Sequence, residues 1–72
     1  MKLTYYPDTD SLYIDLSSKV SEHSQEIAAG IVLDHDADGN IVGIDIDNAS
    51  SKIDLQQVTL SHIPAPAEKL IA

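Results

Sequence analysis

Apolar and polar residues alternate with a period of two over most of the first 47 positions, the spacing of a β-strand with one face buried. The first alternating pair, residues 2–6 and 11–16, is joined by Pro7-Asp8-Thr9-Asp10. Proline presets φ for a turn there, and the two aspartates can bond their own backbone. Folding about this connection sets Tyr5 against Leu12, Leu3 against Ile14 and Met1 against Leu16 on one face. Thr4 then meets Tyr13, and Lys2 meets Asp15, on the other. The polar run Ser17–Ser24 reads as a loop. From Gln25 the alternation resumes, with Ile27, Ala29, Ile31 and Leu33 on one face and Glu26, Ala28 and Gly30 on the other. This predicts one long strand, bulged or closely approached at Gly30, where small residues would let a neighbouring element come near.

The centre of the chain is Ile31–Leu33 and Ile41–Ile46 on either side of a turn crowded with carboxylates. Asp38-Gly39 between β-branched runs is a strong signal for a two-residue type I′ turn, with positive φ at both residues. That turn sets Ile31 opposite Ile46, Leu33 opposite Ile44 and His35 opposite Val42 as one apolar band. Val32 faces Asp45 and Asp34 faces Gly43 on the other side. A one-residue slip would oppose Ile31 to Asp45 and destroy the band, so the pattern selects the register. After Asp47 the alternation stops. Ser51 and Asp54 have the spacing of a capping box, predicting a helical turn over Lys52–Gln57 that buries Ile53 and Leu55. Val58–Ile63 alternates again as a candidate fifth, edge strand, and Pro64 and Pro66 end regular pairing. The expected architecture is mainly β (a small α+β fold being the alternative). It is a curled antiparallel meander of four or five strands built from two hairpins, with a short helical turn after the strand ending at Ile46. Residues 1–63 make one domain and 64–72 a proline-containing tail.

The same central residues read Asp34-x-Asp36-x-Asp38-Gly39-x-Ile41-x-x-x-Asp45, much of a calcium loop. Asp45 stands where a bidentate glutamate is usual, and the flanks have strand rather than helix periodicity. A loop wrapped around an ion and a paired hairpin cannot occupy the same residues, so a plain turn is the leading reading. Charge does not force a metal: two exposed carboxylates about 5 Å apart repel by roughly 1 kcal/mol in water. A non-helical calcium-type site at Asp34, Asp36, Asp38 and Asp45 is the alternative.

Composition narrows the function classes. The 72 residues contain no cysteine, 12 acidic residues against four lysines, and a formal charge of −8. Such a charge disfavours nucleic-acid and anionic-membrane partners and favours, at most, a basic protein. No apolar run approaches spanning length and no signal-peptide core is evident, so a cytoplasmic prokaryotic protein is expected. Cores of this size rarely supply more than about 3–5 kcal/mol. Without disulfides, self-association is the expected source of added stability.

Catalysis finds little support. Ser61 and His62 are neighbours that a strand would point to opposite faces. Asp45/Asp47 and Asp8/Asp10 have no apolar pocket to separate their pKa values. His35 sits at the rim of the apolar band, and His23 and His62 lack ligand spacing for zinc. No catalytic residue or cofactor is expected.

Three stretches carry a family resemblance: Tyr6-Pro7-Asp8-Thr9-Asp10-Ser11-Leu12-Tyr13-Ile14, Gly30-Ile31-Val32-Leu33-Asp34, and Asp36-x-Asp38-Gly39-x-Ile41-Val42-Gly43-Ile44-Asp45-Ile46-x-Asn48-Ala49-Ser50. In order and spacing they resemble a small prokaryotic domain-of-unknown-function family, number 2283, the YuzE-like proteins. Tyr6-Pro7 stands where members usually show Tyr-Asp, and His35 where an aromatic such as Tyr is usual. The resemblance implies a compact antiparallel β fold with no assigned activity. By association with proteins of this size, it also implies an antitoxin-like half of a gene pair.

Overall fold

The computed structural model describes residues 1–64. Five strands and one short helix follow in chain order: β1 Lys2–Tyr6, β2 Ser11–Asp15, β3 His23–Ala28, β4 Ile31–His35, β5 Ile41–Ile46 and α1 Ala49–Lys52. All strands belong to one antiparallel sheet in the order β1-β2-β5-β4-β3. The mainly β architecture is as the alternation predicts, but the strand order is not that of a meander. β3, β4 and β5 are hairpin-linked in sequence, while β2 lies beside β5 and the chain crosses from β2 to the far edge before β3 begins. Four strands in the order β2-β5-β4-β3 have the spatial arrangement of a Greek key read from its C-terminal end.

Both expected registers are present. Lys2 pairs with Asp15, Leu3 with Ile14, Thr4 with Tyr13 and Tyr5 with Leu12. Ile31 pairs with Ile46, Val32 with Asp45, Leu33 with Ile44 and Asp34 with Gly43. The central turn corrects the expectation. Asp36 N donates to Asn40 O at 2.9 Å and Gly39 N to Asp36 O at 3.1 Å, enclosing Ala37-Asp38-Gly39 as a three-residue loop. Gly39 has φ +87° while Asp38 is not left-handed. This is the three-residue hairpin with glycine at its left-handed position, not a type I′ turn. His35 consequently pairs with Ile41 rather than Val42, and a bulge between Asp34 and His35 restores the register beyond it. The turn is one residue longer and the bulge absorbs the difference, so the apolar band survives.

The long strand expected from Gln25 to Leu33 is two strands. Gly30, at φ +74°, reverses the chain, and Ala28 pairs with Ile31 across the turn. Lys52 Nζ closes this corner from outside, donating to Ala29 O at 3.0 Å and Asp47 O at 2.6 Å. Val58–Ile63 forms no strand, so the fifth strand is β3. The helical turn begins at Ala49, earlier than predicted. Its N-cap, Asn48, is left-handed and makes no side-chain cap bond, so Ser51 and Asp54 are not a capping box. The proline-containing tail falls outside the described residues except for Pro64.

Leu12, Ile46 and Ala49 form the buried cluster, with Ile14, Ile44, Ile53 and Leu55 packed against it. The helix and the residues after it thus lie over one end of the apolar face, burying Ile53 and Leu55 in part as expected. Among the described residues, Ile31 and Leu33 are half-buried and the β1 end of that face is exposed. Leu3 and Tyr5, whose partners Ile14 and Leu12 face the core, are 42% and 41% exposed, and among the described residues no large side chain is less than 2% exposed. Among these residues no helix is long and apolar enough to cross a membrane.

Candidate functional site

The polar face of the sheet carries a network centred on Asp34 of β4. Tyr13 of β2 donates its hydroxyl to Asp34 Oδ2 at 2.6 Å, and Ser24 of β3 donates to Asp34 Oδ1 at 2.6 Å. One carboxylate therefore joins strands from both halves of the sheet. Tyr13 has to cross β5 to reach it, and it crosses at Gly43, which pairs with Asp34 on one side and Asp15 on the other. A Cβ at Gly43 would collide with the Tyr13 hydroxyl and lie 2.7 Å from its Cζ. The ring fills the space the missing side chain leaves, as aromatic residues do over sheet glycines.

These contacts fix the protonation states. The hydroxyls of Ser24 and Tyr13 hold the Asp34 carboxyl below its ordinary range. The bond to Asp34, with burial, pushes the Tyr13 phenol up to about 12. Burial, with the charges of Asp47 and Asp34, raises Asp45. At neutral pH Asp34 is thus a committed acceptor and Tyr13 a committed donor, and neither is poised to exchange a proton. A surface hollow of about 240 Å³ lies elsewhere, lined by Met1, Lys2, Asp15, Ser17 and Ser18, and encloses none of this network.

Of the candidate cation ligands Asp34, Asp36, Asp38 and Asp45, the structure gives the first two other tasks. Asp36, only 5% exposed, turns its carboxylate into its own turn. Its Oδ1 accepts the Asp38 and Asn40 amides, both at 2.9 Å, and its Oδ2 accepts Asn40 Nδ2 at 3.2 Å. The Asn40 amide leads in holding this carboxyl below its ordinary value. Among the described residues no three His, Asp or Glu side chains are arranged to hold a metal ion. His35 is half-buried and stands opposite His23 across the β3–β4 ladder, a juxtaposition their separation in sequence conceals. Two imidazoles fall short of a structural zinc set. His62 is at φ +59° outside any strand, so Ser61 and His62 are not placed by a sheet.

A third carboxylate, Asp10, is legible in the sequence only as turn chemistry. Asp10, left-handed at φ +53°, accepts the Tyr5 hydroxyl at 2.8 Å, the Ser50 amide at 3.1 Å and the Ser50 hydroxyl at 2.6 Å. Its carbonyl accepts the Ala49 amide at 2.8 Å. Asp10 does for α1 what the Asn48 side chain does not, and ties the first hairpin to the segment covering the core.

The pKa directions give a stability profile. Asp10, Asp34 and Asp36 all lie below their ordinary 3.8 when folded. Each contributes stability that is present above 3.8 and lost as pH falls through the folded value; Asp45, raised, opposes them. Tyr13 is raised from 10.0 to about 12, so its contribution is complete below 10 and lost as pH climbs toward 12. Urea midpoints across pH should fall at both ends, and Tyr13→Phe should flatten most of the alkaline limb. An unchanged alkaline limb in Tyr13→Phe would show that the Asp34 bond contributes nothing.

The model of one family, described as a protein of unknown function (DUF2283), matches residues 2–50, more than half of the chain. The matched stretch takes in all five strands, both structural carboxylates Asp10 and Asp36, and the Tyr13–Asp34 pair. No curated protein and no solved structure matches the chain.

Proposed function

The chain belongs to DUF2283, a family of unknown function, and from that premise we propose that it is a non-catalytic interaction module: a homo-oligomer whose acidic face receives a basic protein. One observation carries the reading. Among the described residues, the apolar face of the sheet is covered at one end by residues 49–55 and stays wet along β1 and the end of β2, with Leu3, Tyr5 and Leu16 exposed. Exposed apolar surface of that kind is retained where another surface covers it. The Tyr13–Asp34–Ser24 network supports a binding rather than a catalytic role, because its groups are locked as donor and acceptor and the hollow lined by Met1, Lys2, Asp15, Ser17 and Ser18 lies apart from them.

The acidic side of the proposal rests on charge. A chain at −8 with Asp15, Asp34 and Asp45 on one sheet face attracts a basic surface and repels a polyanion. An antitoxin-like pairing with a small basic protein is the specific form of this reading. Sedimentation equilibrium at micromolar concentration is expected to give an oligomer mass. Affinity capture should yield a stoichiometric small basic protein that dissociates as salt shortens the Debye length. A monomer throughout would overturn the first half, and capture of no basic protein the second.

A further inference from the structure

We propose that two copies of this chain pair antiparallel along the free edge of β1, about a two-fold axis at Thr4, so that their sheets run on as one. The proposal rests on the self-association reading above and identifies the surface that carries it. Among the described residues the sheet has two open edges, β1 and β3. An edge strand presents unpaired amides and carbonyls to any strand that fits, and proteins guard edges that must stay free. β3 is guarded: a register shift between Glu26 and Ala28 breaks its regularity, and it carries a carboxylate at its centre. β1 has neither an irregularity nor a carboxylate. Its five residues pair with β2 without irregularity, and its one charged side chain is Lys2.

The sequence of β1 is complementary to itself about Thr4. In that register Leu3 of one copy stands opposite Tyr5 of the other on the apolar face, an aliphatic–aromatic pair formed twice. On the other face Thr4 meets Thr4, and Lys2 meets Tyr6, an ammonium within reach of a ring. These are the side chains the single copy leaves wet: Leu3 is 42% exposed, Tyr5 41% and Tyr6 52%. The equivalent pairing of β3 about Gln25 would set Ser24 against Glu26, and about Glu26 would oppose two carboxylates. Charge points the same way. Two chains at −8 repel, and β1 is the edge that brings lysines and no carboxylate strand residue to the contact. Pro7 ends the strand, and pairing β1 with β1 leaves only the two guarded β3 edges, so the assembly closes as a dimer rather than growing.

The chain has no cysteine, which makes the register readable by cross-linking. Directly opposed residues in an antiparallel pair have Cα atoms about 4.5–5.5 Å apart, within disulfide range. Thr4→Cys and Gln25→Cys would each be oxidised mildly at about 10 µM beside sedimentation of the unaltered chain. Thr4→Cys is expected to cross-link about a hundred-fold faster, since thiols held together in a dimer meet at millimolar effective concentration. Mixed Lys2→Cys and Tyr6→Cys chains should cross-link to each other in preference to themselves, a readout that stands if Thr4→Cys folds poorly. A sedimenting dimer in which neither pair exceeds Gln25→Cys would overturn this interface and leave self-association standing. A monomer at every concentration would overturn both.

Discussion

Ile46→Ala is expected to remove most of the protein's stability, so that the variant has little or no folded baseline in urea while the unaltered chain gives a cooperative transition. Ile46 is 8% exposed on β5, with Leu12 facing it from β2 and Ile31 from β4. It also packs with Ala49, where the covering segment meets the sheet. Truncating such a side chain costs about 2–5 kcal/mol, transfer and cavity together. A domain of this size holds only about 3–5 kcal/mol, so the two quantities are comparable. Ile27→Ala is the control: Ile27 is 54% exposed at the β3 irregularity, and its truncation should stay within about 0.5 kcal/mol. Both belong at one protein concentration, because the stability of a self-associating chain rises with concentration. Equal midpoints for the two variants would mean that the Leu12–Ile46–Ala49 cluster is not where the stability lies.

What the alternation of residues makes legible is local pairing, and what it conceals is everything set by side chains acting at a distance. The registers of the β1–β2 and β4–β5 hairpins follow from matching one apolar face to another, and a slip in either would have wetted a row of isoleucines and leucines. The length of the turn between β4 and β5 is not legible, because the pattern beyond it is insensitive to that length. Asp36 stabilises the longer loop through the amides of Asp38 and Asn40, and the bulge by His35 then cancels the offset. A signal was present: an aspartate two residues before another and four before an asparagine is turn-capping chemistry. At Gly30 the alternation suggests a bulge or a close approach within one long strand, and the reversal found there is closed by Lys52 and Asp47 from far along the chain. Val58–Ile63 alternates as well as β3 does but finds no partner strand among the described residues. The placing of β2 beside β5 is a non-local choice on which periodicity is silent. In the site, Asp34 could be picked out by its place in the acidic turn. Its partners Tyr13 and Ser24 could not, being joined to it only by the sheet order.

Gly43→Ala is the substitution that tests that sheet-spanning network most directly, and the expected result is a loss of about 1–3 kcal/mol, the usual cost of forcing a group into a filled space. On local grounds the change should help. Gly43 is not left-handed, and replacing glycine where alanine fits the backbone typically stabilises by about 0.4–1 kcal/mol through the unfolded chain. The sign reverses here because the new Cβ occupies the place of the Tyr13 ring, and the phenol cannot move aside without releasing Asp34. A double-mutant cycle separates the two effects. With Tyr13→Ala already in place, Gly43→Ala should be neutral or stabilising. With Tyr13→Phe it should remain costly, since the ring still lies over the glycine although the bond to Asp34 is gone. If Gly43→Ala costs the same with alanine at position 13 as with tyrosine, the ring does not need the glycine. The bridge from β2 to β4 would then have to be explained without it. The absence of one carbon atom on β5 is what lets a side chain from the first hairpin reach the second, and hence what makes a single polar face of two halves the chain pairs only through β2 and β5.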